Sequence, residues 1–130
     1  MKYSSWSPHL LSITRIVVAF LFMAHGSQKL FNFPPSGHVM SFEAFSLVWT
    51  AGVLELFGGF LFLIGFYTRL TAFVLSGQMA VAFFIAHAPQ GFWPILNGGE
   101  MAMLYSFIFL YFSAAGGGAW SLDRILRRNS

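Results

Sequence analysis

Long apolar stretches, separated by short polar or proline-containing segments, make up most of the chain. A membrane-spanning helix needs roughly 20 mostly apolar residues. Stretches of about that length lie at residues 10–31, 45–65, 68–88 and 98–115. The two long connections, 32–44 and 89–97, contain prolines and are predicted to be non-helical. The pattern predicts an all-α protein, an integral membrane four-helix bundle formed by a single domain over residues 1–130.

The segment after the triple glycine at 116–118 has a different pattern. Within residues 119–130, Ser121 can cap a helix, and Asp123 would lie in its first turn, where the helix dipole favours a negative charge. Apolar residues follow at i, i+3 and i+4, namely Leu122, Ile125 and Leu126. The tail is therefore predicted to form a short amphipathic helix that lies in the membrane interface.

Composition strengthens the membrane assignment. The chain is 57% hydrophobic and 8% charged, whereas soluble domains carry roughly a quarter charged residues. The absence of cysteine excludes disulfides, thiolate-bound zinc, iron–sulfur clusters and covalent c-type haem. The net charge of +3 lies mostly near the chain ends and is not a nucleic-acid footprint. The lipid bilayer is the partner that the composition predicts.

The basic residues predict the orientation. Four spans place both termini and the short connection at 66–67 on one side of the membrane. That side carries Lys2, Arg69, Arg124, Arg127 and Arg128, with Arg15 at shallow depth beneath it, and the other side carries Lys29. The positive-inside rule then predicts a multi-pass protein of the bacterial cytoplasmic (inner) membrane with both termini in the cytoplasm.

Ionisable residues inside the spans mark the candidate site. Each costs about 2.5–3.5 kcal/mol in hydrocarbon on insertion scales, so each requires a partner or a task. Depth and helical wheels place several of them in one layer near the outer ends of the spans, beneath the 89–97 loop. The ligand-binding or proton-relay candidates are His25, Lys29, Glu55, His87, Trp93, Asn97 and Glu100. A regular wheel puts Gln78 on the far side of the third span from His87.

Plainer explanations exist for several of these residues. Arg15 either snorkels to the headgroups or forms a buried pair, and Arg69 is either a topology signal or a pairing candidate. The two histidines are either satisfied at helix interfaces or act in proton transfer. The helix dipole alone explains Glu100 at its helix start. Haem is not expected without a second histidine pair, and no metal site is predicted.

The order of the motifs resembles the DoxX family of small four-span bacterial membrane proteins. After Arg15, the resemblance rests on HGSQKLF at 25–31, ELFGG at 55–59, GFYTRL at 65–70, GFWP at 91–94, NGGE at 97–100 and WSLD at 120–123. It extends from about residue 15 to 123. The glycine run at 116–118 departs from the family's common Gly-Pro-Gly, which affects the rigidity of the tail.

The resemblance implies a redox association. The family is similar, at low similarity, to a subunit of an archaeal thiosulfate:quinone oxidoreductase, and a mycobacterial member is associated with a membrane-bound oxidoreductase complex. The implied function is a membrane subunit of a quinone-linked redox complex that binds quinone or a similar lipophilic ligand in the outer-leaflet polar layer. His25 or His87 would bond a quinone carbonyl, and Glu55 or Glu100 would exchange the proton. Partner membrane or periplasmic subunits would deliver the electrons.

A second function competes with this one. The same polar layer suits a non-catalytic assembly or scaffold subunit, in which the charged residues are internal pairs that hold the bundle together. Small-solute transport fits less well, because four spans leave little room for a path without a homo-oligomer. The sequence leaves open whether the chain itself catalyses a reaction.

Overall fold

A computed structural model of the chain describes residues 2–35 and 46–126, with side chains from residue 5 onward. These residues form helices and connecting turns. The elements, in chain order, are α1 (Lys2–Phe31), α2 (Leu47–Ile64), α3 (Thr68–Gln90), α4 (Pro94–Asn97), α5 (Glu100–Ala115) and α6 (Leu122–Ile125). The first part of the 32–44 connection lies inside the described residues, whereas 36–45 and the tail end 127–130 lie outside them.

The helices confirm the predicted all-helical membrane bundle. Ser5–Phe31, Leu47–Ile64 and Thr68–Gln90 are long and apolar enough to cross a membrane, and Glu100–Ala115 is a shorter apolar helix. The prediction of a non-helical 89–97 connection is wrong in part. Pro94 opens the short helix α4, a position that proline suits because its missing N–H would have no helical partner there.

Two of the long helices contain wider π-helical turns. In α2 the π segment is Leu54–Gly58, between α-helical Leu47–Val53 and Gly59–Ile64. In α3 it is Phe83–His87, between α-helical Thr68–Ala82 and the 3₁₀ turn Ala88–Gln90. A π turn accommodates one extra residue, and such turns occur frequently at functional sites. Each of these two spans therefore changes its helical phase next to an ionisable residue.

Aromatic residues form the centre of the bundle. The ring of Phe62 packs edge-to-face against Phe109 and Phe112 at 5.1 and 5.0 Å between centroids, and Phe22 meets Phe109 at 4.9 Å. Edge-to-face contacts match the charge distribution of aromatic rings and stabilise the packing beyond the area that they bury. These rings, from α1, α2 and α5, join the helices around one apolar core.

Helices α1 and α2 approach each other closely at Gly26. A Cβ atom there would lie 2.7 Å from the Leu56 backbone nitrogen and 2.9 Å from the Gly52 carbonyl oxygen. Only a residue without a side chain permits this distance, as is common where membrane helices pack. The close approach brings the C-terminal part of α1 beside the π turn of α2.

The C-terminal segment is anchored against the turn between α2 and α3. Ser121 caps α6 as predicted, accepting a hydrogen bond from the Arg124 N–H at 3.2 Å. Asp123, however, is fully buried and accepts from the Tyr67 N–H, the Thr68 N–H and the Thr68 hydroxyl, each at 2.8 Å. Its carboxylate thus serves the N-terminus of α3 rather than only its own helix. Trp120, Ile125 and Leu126 remain on the surface, as an interfacial helix requires.

Candidate functional site

Glu55 is the centre of the candidate site. It lies in the π turn of α2 with 1% of its surface exposed. Its Oε2 atom accepts hydrogen bonds from Lys29 Nζ of α1 at 2.5 Å and from Gln78 Nε2 of α3 at 3.0 Å. A buried carboxylate needs such partners, because hydrocarbon offers it no solvation. Glu55 therefore connects three helices through one oxygen atom.

The other carboxylate oxygen of Glu55, Oε1, can accept hydrogen bonds but has no donor within the described part of the chain. Among the described residues, Glu55 Oε1 and Gln78 Oε1 are buried without a hydrogen-bond partner. Lys29, in contrast, keeps 28% of its side chain exposed. In the Lys29–Glu55 pair, the carboxylate is therefore buried inside the bundle and the lysine side chain lies partly at its surface.

A groove of about 570 Å³ runs along the surface between α2 and α3, beside this pair. Its polar residues are Lys29, Thr50, Gln78 and His87. Its remaining lining is apolar and in part strongly exposed, with Leu47 at 67% and Val81 and Ile85 at 55%. Because exposed apolar residues on a membrane-spanning helix face the acyl chains, the groove opens toward lipid.

His87 is held at the end of this groove by the loop that follows it. Its Nδ1 lies 3.2 Å from the Asn97 carbonyl oxygen. The buried Asn97 side chain in turn donates to the Gly91 carbonyl at 2.9 Å and accepts from the Gly99 N–H at 2.8 Å. Because a carbonyl oxygen can only accept, Nδ1 carries a proton, and in the neutral ring Nε2 is an acceptor.

The π turn explains why Gln78 and His87 line the same groove. In a regular α-helix, nine positions of separation place two side chains about 180° apart, as the wheel predicted. The extra residue taken up by the Phe83–His87 turn reduces this angle by about 100°. The expectation that Gln78 faces away from His87 is therefore wrong. Gln78 is a residue of the site that was not among the predicted candidates, which were chosen mainly for their ionisable side chains. A lone amide within an apolar span could have indicated it.

The remaining candidates lie outside this cluster. His25 is exposed, and its ring packs edge-to-face on Tyr105 of α5 at 5.9 Å. Glu100 is exposed at the start of α5, and Trp93 is 63% exposed with its ring 5.2 Å from Phe92. Of the seven predicted residues, Lys29 and His87 line the groove. Lys29 contacts the buried Glu55, and His87 contacts Asn97.

Arg15 occupies a separate buried site at the opposite end of the bundle. It is 1% exposed and donates to the carbonyl oxygens of Gly117, Trp120 (2.7 Å) and Leu63 (3.3 Å). The structure therefore favours a buried pairing over snorkelling. Arg69, the other pairing candidate, is exposed. The sequence analysis also did not identify the partners of Asp123, because a backbone N–H group is present in almost every residue and its hydrogen bonds cannot be recognised from residue type.

Within residues 2–35 and 46–126, no group of three or more His, Asp or Glu side chains is placed to hold a metal ion. The polar groups of the groove lining are instead an ammonium, a hydroxyl, an amide and an imidazole. Such groups suit hydrogen bonds to oxygen atoms of an organic ligand.

Comparison with known proteins gives the family. The DoxX family model matches residues 10–88. An uncharacterized protein of Haemophilus influenzae is 46% identical over 124 residues, which cover 91% of each chain. An uncharacterized membrane protein of Mycobacterium tuberculosis is 30% identical over an alignment of 148 positions that covers 100% of this chain and 88% of the relative. No solved structure matches the chain. Since the family match spans more than half of the residues, the chain belongs to the DoxX family of bacterial membrane proteins.

Proposed function

We propose that the chain is a membrane subunit of a quinone-linked redox complex and binds a quinone or a similar lipophilic ligand in the α2–α3 groove. The observation that carries this proposal is the groove itself. It is apolar, it opens toward lipid, and Lys29, Gln78 and His87 line it beside the buried Glu55. Its volume of about 570 Å³ lies within the usual range for small-molecule sites, roughly 300–1,000 Å³.

The residues fit the two chemical parts of such a ligand. The exposed apolar residues of α2 and α3 suit an isoprenoid tail that enters from the bilayer. Lys29 and Gln78 can donate hydrogen bonds to a carbonyl oxygen. His87, with Nδ1 held by the Asn97 carbonyl, offers Nε2 as the acceptor for a hydroxyl group. The groove thus has donors for an oxidised ring and an acceptor for a reduced one.

Glu55 gives the site a place to hold a proton. Its Oε2 shares a hydrogen bond with Lys29 Nζ, so a proton passed to or from the ligand can move along that contact. A bound quinone would supply two-electron, two-proton redox chemistry, with the electrons delivered by a partner subunit. The role of this chain is to bind the ring, orient it and exchange protons with it.

The proposal includes an orientation, in which the groove belongs to the outer leaflet of the inner membrane and both termini are cytoplasmic. The basic residues near the termini and at Arg69 support it. Because the chain lacks cysteine, single introduced thiols report the topology cleanly. A membrane-impermeant maleimide should label Gln90→Cys in intact cells and Leu126→Cys only after permeabilisation. The reverse pattern would refute the orientation.

The binding test compares two grooves of the same protein. A smaller groove of about 310 Å³ between α1 and α2 is lined by apolar residues such as Val53 and Phe57. Val81→Trp fills the candidate groove, and Val53→Trp fills this control groove. Protein purified in mild detergent would be extracted, and the quinone per mole of protein would be measured by chromatography.

The expected result is a clear separation of the two variants. The wild type and Val53→Trp should retain quinone in similar amounts, whereas Val81→Trp should lose at least about 80% of it, a loss of roughly 1 kcal/mol in binding. Equal retention by both variants would count against the groove, and no quinone in any of the proteins, even after incubation with added ubiquinone, would refute the proposal.

An assembly or scaffold role is the second candidate. The observation in its favour is that Glu55 is already paired within the chain, with Lys29 and Gln78. If this pairing only holds the helices together, Glu55→Gln should abolish accumulation of the protein in the membrane. If it serves a ligand, Glu55→Gln should accumulate normally and lose quinone, because the introduced amide can still bond Gln78 but cannot take up a proton.

A further inference from the structure

A second, larger groove lies on the other side of the bundle, between α1 and α5. Its volume is about 770 Å³, and its apolar lining includes Leu11, Leu104, Phe107 and Ile108. It extends to the end of the bundle where α6 is docked, because Arg69 and Arg124 also line it. The groove therefore combines a long apolar surface with two cationic residues at one end.

The two arginines are held together by the buried contact beneath them. Thr68 immediately precedes Arg69, and Asp123 immediately precedes Arg124. The Thr68 hydroxyl and N–H both bond the Asp123 carboxylate at 2.8 Å. The backbones of Arg69 and Arg124 are consequently held near each other, and both exposed side chains line the groove.

No acidic side chain in the described part of the chain neutralises the positive charges of Arg69 and Arg124. Arg15 attracts Asp123 electrostatically from within the bundle, so these two buried groups offset each other. Both oxygens of Asp123 already accept hydrogen bonds. Among the described residues, Glu100 is the exposed acid, and it lies at the start of α5, whereas Arg69 and Arg124 lie near the other end of the groove. This part of the surface carries two positive charges that no described acid neutralises.

We propose that the α1–α5 groove binds an acidic phospholipid of the surrounding bilayer. The phosphate is held by Arg69 and Arg124, and an acyl chain lies along Leu11, Leu104 and Phe107. Guanidinium groups bind phosphate oxygens through paired, charge-assisted hydrogen bonds. The apolar remainder of the groove selects a lipid over a free phosphate ion, which has nothing to place there.

A second copy of the chain fits this groove less well. Its described surface offers no acid near the same end to meet the two arginines, and it would bring two further arginines of its own. An acidic lipid supplies the missing negative charge and the apolar length in one molecule. This site is independent of the quinone groove, which lies between α2 and α3.

The test measures lipid retained by the intact protein. Wild type, an Arg69→Gln/Arg124→Gln variant and an Arg127→Gln/Arg128→Gln control would be purified in mild detergent. The two double variants lose the same charge, and the control positions lie outside the described residues. Each protein would be mixed with equal amounts of phosphatidylglycerol and phosphatidylcholine, and bound lipid would be counted by native mass spectrometry.

Loss of Arg69 and Arg124 should reduce the affinity for phosphatidylglycerol by about tenfold or more, and the control should stay within about threefold of wild type. Thr14→Trp, which obstructs the groove without changing charge, should also lose the lipid. Circular dichroism would confirm that each variant is folded. Equal losses in both double variants would indicate diffuse charge attraction and overturn the site, as would a dimer that Thr14→Trp dissociates while lipid binding is unchanged.

Discussion

Two buried carboxylates, Asp123 and Glu55, lie at opposite ends of the bundle and differ in how their oxygens are used. Asp123 is 0% exposed and Glu55 1%. Both oxygens of Asp123 accept hydrogen bonds. Of the three bonds, two come from backbone N–H groups and one from a hydroxyl. Glu55 uses one oxygen, and only side chains bond it, whereas its Oε1 has no partner among the described residues.

The difference separates a structural group from one that is available for chemistry. Backbone donors cannot leave Asp123 without breaking the turn between α2 and α3, so its contacts are part of the fold. Lys29 and Gln78 can turn away from Glu55, and both line a groove that opens toward lipid. Similar burial therefore has opposite consequences, because a fully bonded carboxylate rigidifies the structure and a partly bonded one can exchange partners or protons.

The largest effect is expected at Asp123. Asp123→Ala removes three hydrogen bonds and a negative charge that attracts Arg15. A hydrogen bond to a charged group is worth about 1.5–3 kcal/mol, so losing three should lower the free energy of unfolding in mixed micelles by at least about 3–5 kcal/mol. Asp123→Asn keeps the shape and some of the acceptors and should lose less. If the unfolding curve of Asp123→Ala coincided with that of wild type, Asp123 would not be a structural group, and the distinction between Asp123 and Glu55 would fail.

The next effect tests what holds Glu55 in place. In Gly26→Ala the new methyl group would lie 2.7 Å from the Leu56 nitrogen and 3.0 Å from Glu55 Cβ, so α1 and α2 must separate. Overpacking of this kind costs about 1–3 kcal/mol. Gly77→Ala on α3 is the matched control, because no described residue outside the adjacent part of α3 lies within 4 Å of its Cβ position and alanine favours the helix. If both variants unfold alike, the close approach of α1 and α2 does not position Glu55.

The sequence predicted the apolar helices well, because they depend on the positions of apolar residues along the chain. It paired Lys29 and Glu55 in one layer from their own positions along those helices. It could not assign the partners of Asp123, which are two backbone N–H groups and a hydroxyl more than 50 residues earlier in the chain. Contacts made by backbone atoms depend on tertiary structure and have no residue-type signature.

Helical phase was the other source of error. The wheel assumed 3.6 residues per turn throughout, and the π turn at Phe83–His87 broke that assumption at the point where His87 had to be placed relative to Gln78. His25 lies about 100° from the buried Gly26 on the wheel, at the edge of the predicted inward face, and the structure leaves it exposed beside Tyr105. Edge positions and π turns are the places where wheel arguments are weakest.

A smaller effect compares single hydrogen bonds at the two ends. Thr68→Val removes a hydroxyl that bonds Asp123 at 2.8 Å and should lower the free energy of unfolding by about 1.5 kcal/mol, as expected for a bond to a charged group. Gln78→Leu also removes a donor to a carboxylate, but it eliminates the buried, unpartnered Oε1 as well. Its net change should stay within about 0.5 kcal/mol of zero. Equal losses in the two variants would show that Gln78 is as structural as Thr68.

The smallest effect is expected at Glu100. This prediction tests whether the candidate site around Glu55 extends to α5. Glu100 is exposed at the start of α5, where it interacts favourably with the helix dipole. Glu100→Gln should leave both the unfolding curve and quinone retention unchanged, because none of the described contacts joins it to the groove. Glu55→Gln, measured beside it, should lose quinone. If Glu100→Gln lost quinone too, the proton-exchanging layer would have to extend across the bundle to α5, and the distinction drawn from Asp123 and Glu55 would no longer define the site.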